Sequence, residues 1–427
     1  MSKNKISPLI GVLICINTMI GAGLFINSKQ IVPIAGAYSF LGYIFAGLLM
    51  FPIILSIATL AKLHPVSGGL YVFSKSYISD WAGFLSGWGY FIGKTTSVAL
   101  LMHKFNTFFQ AQFSVLSNVP TIAMDYCFIF LLILLNLAGA SVGGKVQYVF
   151  STLKALPILF VFGVGFYSFD PSVWSFGSSD FSSIFLIVPL CVFATMGFEI
   201  ICSVGHLIDD PTRNIKKVIL TAFFVVVSIN TVFQFLIYGS LGAMLGSVEV
   251  PILGLAQKAL PSLEILGRVL NGSVYAAILG ACFSILTTNC WNLYTLADNN
   301  HIPFKRFFTK LSSTNVPWIA ILAEGVLGCL VLTVSNDQTA LTSLSVFAQL
   351  IAIFLSMIAA YKAVGVVSNS GLYRFIPVLG LGTSLYILTM AVFNICKSGV
   401  SFPFLAIFLI GIVLAIFKRF FQKRTKQ

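Results

Sequence analysis

The sequence predicts an all-α integral membrane protein of about twelve transmembrane helices. Three observations predict it. First, 58% of the 427 residues are hydrophobic, 9% are charged, and the mean hydropathy is +0.98. A soluble surface needs about 25% charged residues, so soluble enzymes, nucleic-acid binders and disordered scaffolds are excluded. Second, apolar runs of about 20 residues, enough to span a bilayer, recur along the whole chain. Third, Lys and Arg collect on one side of these runs.

The elements follow in chain order. The run 9–28 comes after Lys3 and Lys5 and imitates a signal peptide, but the many later runs favour a retained first helix. Runs 36–60, 82–112, 121–140 and 147–168 complete a first group of five. Runs 183–206, 216–244, 270–297, 317–334 and 341–362 form a second group, and 375–395 and 402–418 remain. Gly, Pro, Ser and charged residues separate them. The expected organisation is a first repeat over 1–168, a second over 183–362, accessory helices over 375–418 and a basic tail over 419–427.

The charges orient this array. With a cytoplasmic N-terminus and twelve spans, Lys29, Lys104, Lys258, Arg268 and Lys397 fall outside. Lys94 and Lys154 fall within spans, and all the other Lys and Arg residues fall inside. This asymmetry predicts both termini in the cytoplasm. Compact loops suggest a bacterial inner membrane. The eight cysteines form no CxxC pair, and His64, His103, His206 and His301 are scattered near span ends. Packing and interfacial roles are expected for them, with no metal site and no cofactor.

Two spans carry glycine near their middle. The first contains Ile20-Gly21-Ala22-Gly23, and the sixth contains Phe193-Ala194-Thr195 followed by Gly197 and Glu199. Close helix packing is one explanation. The other is a broken helix in each half, the arrangement that marks a transporter site. Broken ends offer free N–H groups to a carboxylate and free carbonyls to an ammonium. Ile20, Gly21, Ala22, Gly23, Phe193, Ala194, Thr195 and Gly197 are therefore the candidate substrate-binding residues.

Five motifs then carry a family resemblance. Gly21-Ala22-Gly23-Leu24-Phe25, Pro65-Val66-Ser67-Gly68-Gly69-Leu70-Tyr71, the run Phe193 to Glu199, Pro211-Thr212-Arg213-Asn214-Ile215 and Leu296 to Pro303 lie in order along most of the chain. They resemble the motifs of the amino acid–polyamine–organocation transporters, and within these the basic amino acid/polyamine antiporter branch. The resemblance implies a five-plus-five inverted repeat with discontinuous helices 1 and 6, and a secondary transporter working by alternating access. It also implies that Phe193 covers the substrate. Two departures bear on gating: Gly205-His206-Leu207-Ile208 replaces acidic residues, and Asn300 stands where glycine is usual.

Charges within spans require a partner or a role. The resemblance implies that Lys154 stands in for a sodium ion, either as a proton carrier or as a fixed cation on carbonyls of helix 1. It implies a gating or proton-linked role for Glu199, whose alternative is a plain hydrogen-bond acceptor. Lys94 lies about 12 residues into its run, roughly 18 Å along a helix. It either faces the cavity or pairs with a buried acid. Glu324 is expected to pack. Trp88, Tyr90 and Trp291 are expected to pack or to sit at the interface, with cavity positions as the alternative.

No P-loop, HExxH or Ser/His/Asp set is present, so no enzyme is predicted. A membrane transferase, a channel and a receptor remain as alternatives. The expected partners are the bilayer, a small amino acid or related amine, and protons if transport is proton-coupled. No nucleic acid is expected. Symport and exchange, monomer and homodimer, and the substrate's side chain all stay open.

Overall fold

The computed structural model describes residues 7–397 apart from 67, 175–179, 204, 206–207, 249, 263 and 368–370, together with Leu409, Val413 and Ile416. Lys3, Lys5, His206, most of the run 402–418 and the tail 419–427 lie outside the described residues.

The first expected span is two helices, α1 (Pro8–Met19) and α2 (Ala22–Ala35), parted at Ile20 and Gly21. Ser7 starts α1 by accepting the Ile10 N–H, with Pro8 in the first turn. Helices α3 (Ser39–Leu63), α4 (Gly69–Tyr77), α5 (Asp80–Gln112), α6 (Thr121–Leu137) and α7 (Ala140–Tyr167) follow. The sixth span is again broken, into α8 (Ile184–Phe193) and α9 (Ile200–Ser203). Then come α10 (Pro211–Leu241), α11 (Pro251–Ala259), α12 (Glu264–Asp298), α13 (Lys305–Phe308), α14 (Trp318–Val334), α15 (Gln338–Val367) and α16 (Gly371–Lys397). Six helical stretches among the described residues are long and apolar enough to cross a membrane, and four shorter apolar helices accompany them.

Each expected run that is described coincides with a helix. The short helices α4 and α11 do not appear among those runs, because each is too short and too polar to read as a span. Element lengths recur between the halves. The broken pair is followed by helices of 25 residues (α3) and 31 residues (α10), then by 9-residue helices in both. Next come 33 and 35 residues (α5, α12), 17 in both (α6, α14), and 28 and 30 (α7, α15). Contacts also correspond: α5 packs on α15 as α12 packs on α7, and α3 packs on α8 as α10 packs on α1.

α5 is the central strut, touching α4, α6, α12, α14 and α15. Small residues let it approach α15 closely. A Cβ built on Gly89 would lie 2.8 Å from the Ala348 carbonyl oxygen, and one on Gly93 2.9 Å from both the Ser345 oxygen and the Gln349 nitrogen. These neighbours are backbone and cannot rotate away. Gly93→Val is expected to cost about 1–3 kcal/mol by overpacking. Thermal melting of the purified protein should show a lowered Tm. Gly163→Val, with nothing within 4 Å of the added carbon, is the control and should barely shift it.

Candidate functional site

The two breaks face each other. A Cβ on Gly23 would sit 3.0 Å from the Ala194 Cβ, so α2 starts against the end of α8. Gly197 has φ +124°, a conformation that L side chains rarely adopt. A Cβ there would lie 3.1 Å from Thr18 Cγ2 and 3.2 Å from the Met19 nitrogen. The sixth-span break thus runs directly against the end of α1.

Side chains satisfy much of the opened backbone. Lys154 on α7 donates to both the carbonyl and the side-chain oxygen of Asn17, each at 2.6 Å. Its ammonium lies at the negative end of α1, where a cation is favoured. Asn17 in turn donates to Gln147, which donates to Ser284 at 2.7 Å. Asn27 donates to the Leu190 carbonyl at 3.0 Å and Asn230 to the Ala194 carbonyl at 3.3 Å. At the other broken end, Gly21 caps α2 with no side chain, so the first N–H groups of α2 have no intrahelical partner.

Beside the breaks is a buried ion pair. Lys94 Nζ lies 2.7 Å from Glu199 Oε1, with both side chains almost fully buried. The Tyr90 hydroxyl donates to the same oxygen at 3.1 Å, and the Gly197 N–H donates to Glu199 Oε2 at 2.9 Å. Lys94 therefore has the acid partner that was one of its two expected roles, and it also lines the cavity. Glu199 neutralises it, so Lys94 alone does not repel a cationic ligand.

The cavity between the breaks is small, about 30 Å³, and is lined by Thr18, Met19, Gly21, Gly23, Lys94, Ser97, Leu101, Phe193, Ala194, Met196, Ile285 and Gln349. Of the candidate residues, Gly21, Gly23, Lys94, Phe193 and Ala194 line it. Ala22 opens α2. Ile20, Thr195, Gly197, Lys154 and Glu199 are buried behind the wall, and the Thr195 hydroxyl is spent on the Val192 carbonyl. Ser97 and Gln349 were not singled out from the sequence. Ser97 lies three residues beyond Lys94 on α5 and hence on the same face. Gln349 donates to Ser97, to the Ser345 hydroxyl and to the Ser345 carbonyl.

Other polar groups surround this centre. Glu324 accepts from Asn289 at 2.9 Å, and Asn289 also donates to the Phe91 carbonyl, tying α14 and α12 to α5. His103 does not sit at an interface as expected. It is buried against Asp125 at 2.7 Å, and Asn106 donates to the same carboxylate. At the opposite end of α5, Tyr71 bonds His301 at 2.9 Å and Lys75 bonds Asn299 at 2.9 Å, joining α4 to the segment after α12. Asn300 has φ +58°, which explains why it can take the place of glycine: asparagine tolerates the left-handed region better than most residues.

With this geometry, the relatives are informative. The amino acid permease family profile matches residues 11–424. The chain belongs to the amino acid permease family. The permease is 27% identical over 330 residues to the gamma-aminobutyric acid permease of Bacillus subtilis, covering 73% of this chain and 68% of that one. It is 26% identical to the lysine-specific permease LysP of Escherichia coli, over 77% of this chain and 71% of the relative. It is 22% identical to the serine/threonine exchanger SteT of Bacillus subtilis, over 90% of each. The permease is a secondary transporter embedded in a membrane, and not an enzyme.

The buried pair gives a direct test. Removing one partner leaves an uncompensated charge and is expected to cost about 3–5 kcal/mol. Lys94→Met and Glu199→Gln should each lower Tm strongly. The double variant should recover a large part of the loss, as measured by melting all four proteins in a double-mutant cycle.

Proposed function

We propose that the permease carries amino acids or related amines by alternating access around the cavity between the two breaks. The observation that supports this best is the pairing of a side-chain-free α2 N-terminus with carbonyl-bearing helix ends across one small chamber. The N–H groups of Gly21, Ala22 and Gly23 suit a carboxylate. An ammonium would share the carbonyls around Ile20 and from Phe193 through Ala194, Thr195 and Gly197 with the donors that several of them already hold. Phe193 covers the bound solute.

The fold fits two five-helix repeats of inverted topology, 1–168 and 183–362, followed by accessory helices over 375–418 and a basic tail over 419–427. Matching lengths and matching contacts support that division. The Lys and Arg distribution supports twelve spans with both ends in the cytoplasm. The bacterial relatives favour a bacterial inner membrane. In this orientation the Tyr71–His301 and Lys75–Asn299 contacts close the cytoplasmic side.

Lys154 does the work of a bound cation. Its two bonds to Asn17 fix the end of α1, and loss of its proton would remove the charge that strengthens both. Glu199 links the Lys94 charge to the Gly197 backbone and is the second coupling candidate. Drive is by proton symport or by amino acid exchange.

Proteoliposomes separate these modes. Wild-type protein should take up a labelled amino acid from a full panel, with the rate raised either by an inward pH gradient or by internal amino acid. Lys154→Ala should lower uptake on the order of tenfold or more, as expected when about 1.4 kcal/mol or more of α1 anchoring is lost. Unchanged pH-dependent uptake in Lys154→Ala would overturn the coupling role. No uptake of any amino acid or amine by folded wild-type protein would overturn the transport cycle proposed here.

A further inference from the structure

A second, larger cavity lies at the end of α5 away from Asp80. It measures about 510 Å³ and takes its walls from α2, α5, α8, α15 and α16. Two lysines face it, Lys29 from α2 and Lys104 from α5, and no Asp or Glu is among its described lining residues. The sequence counts Lys104 on the outer side, near the end of the run 82–112. The structure places it within α5, 4% exposed. Its ammonium makes no hydrogen bond or ion pair to another described residue. A buried, unpaired ammonium is costly unless something neutralises it. Gln30, Gln338, Thr342 and Ser343 add polar side chains to the same wall.

This chamber is stacked on the central cavity. Along α5, Lys94, Ser97 and Leu101 line or border the inner cavity and Lys104 lines the outer one, at helical spacings of one face. Along α15, Gln349 belongs to the inner cavity and Thr342 and Val346 to the outer one. The same order holds on α8, with Phe193 inner and Leu190 outer. Ten residues separate Lys94 from Lys104, roughly 15 Å along the helix.

We propose that the outer chamber is a binding site for a carboxylate, held by Lys104 and Lys29, where an anionic or zwitterionic amino acid is captured before it descends to the central cavity. The inner lysine is already neutralised by Glu199, so the outer pair supplies the uncompensated positive charge on this route. Cationic amino acids and polyamines are repelled there. The capture step rests on the transport cycle proposed above. The carboxylate site does not, and it is tested without transport.

The test uses the full-length protein in phosphatidylcholine nanodiscs, melted with glutarate, a dicarboxylate that lacks an amine, and with cadaverine, a diamine. Glutarate should raise Tm saturably, and cadaverine should not. Lys104→Gln should abolish the glutarate shift, Lys29→Gln should reduce it, and Lys104→Arg should keep most of it. Removing a buried unpaired charge should leave the protein folded, and the arginine variant and Lys29→Gln read the site independently if it does not. An equal glutarate shift in Lys104→Gln, or a shift with cadaverine instead, would overturn the proposal. A Lys104-dependent shift produced by phosphatidylglycerol nanodiscs, with none from glutarate, would assign the site to a lipid headgroup and also overturn it. Failure of amino acid uptake with the glutarate shift intact would overturn only the transport cycle.

Discussion

Lys154 on the end of α1 is the interaction on which the rest of the centre depends. Within a bilayer no water stands ready to bond an opened backbone, so a helix can stop midway only if something polar meets its ends. The ammonium on Asn17 meets one end, and Asn27 and Asn230 meet carbonyls of the other broken span. With those ends held by side chains, the start of α2 is left without a side-chain cap. The satisfied carbonyls and the uncapped N–H groups make the two sides of the break chemically unlike.

The buried charges are distributed with the same logic. Lys94 and Glu199 cancel and are further tied to Tyr90 and to the Gly197 backbone. Their pairing joins the third span to the sixth-span break, so the wall of the cavity and the broken helix share one electrostatic contact. The close α5–α15 packing at Gly89 and Gly93 gives that wall a stiff backing.

Much of this was legible in the sequence because lipid imposes it. Apolar runs of about 20 residues mark spans whatever their neighbours are, and every described run became a helix. The breaks were legible through Gly21, Gly23 and Gly197, and through motifs that lie in a fixed order. The partners of charges were less legible, since Lys94 and Glu199 meet only in three dimensions. Asp125 passed unnoticed as a single acid in an apolar run, although it holds His103 and Asn106. Lys104 lay inside the expected run 82–112, but the cavity it faces depends on α2, α8, α15 and α16 and was not legible in the sequence. The short α4 and α11 lacked the length that makes a pattern visible.

The sequence distance between partners has a consequence for biosynthesis. Lys154 and Asn17 are 137 residues apart, and Ser97 and Gln349 are 252 apart. The ribosome therefore delivers Lys94 to the membrane well before Glu199 exists, and the packing face of α5 well before α15. The first half must wait in the bilayer with an unneutralised lysine and an uncovered glycine face. A chain that stops before α15 leaves that face of α5 uncovered. The contacts that complete the cavity between the breaks thus form only once synthesis has reached the second half.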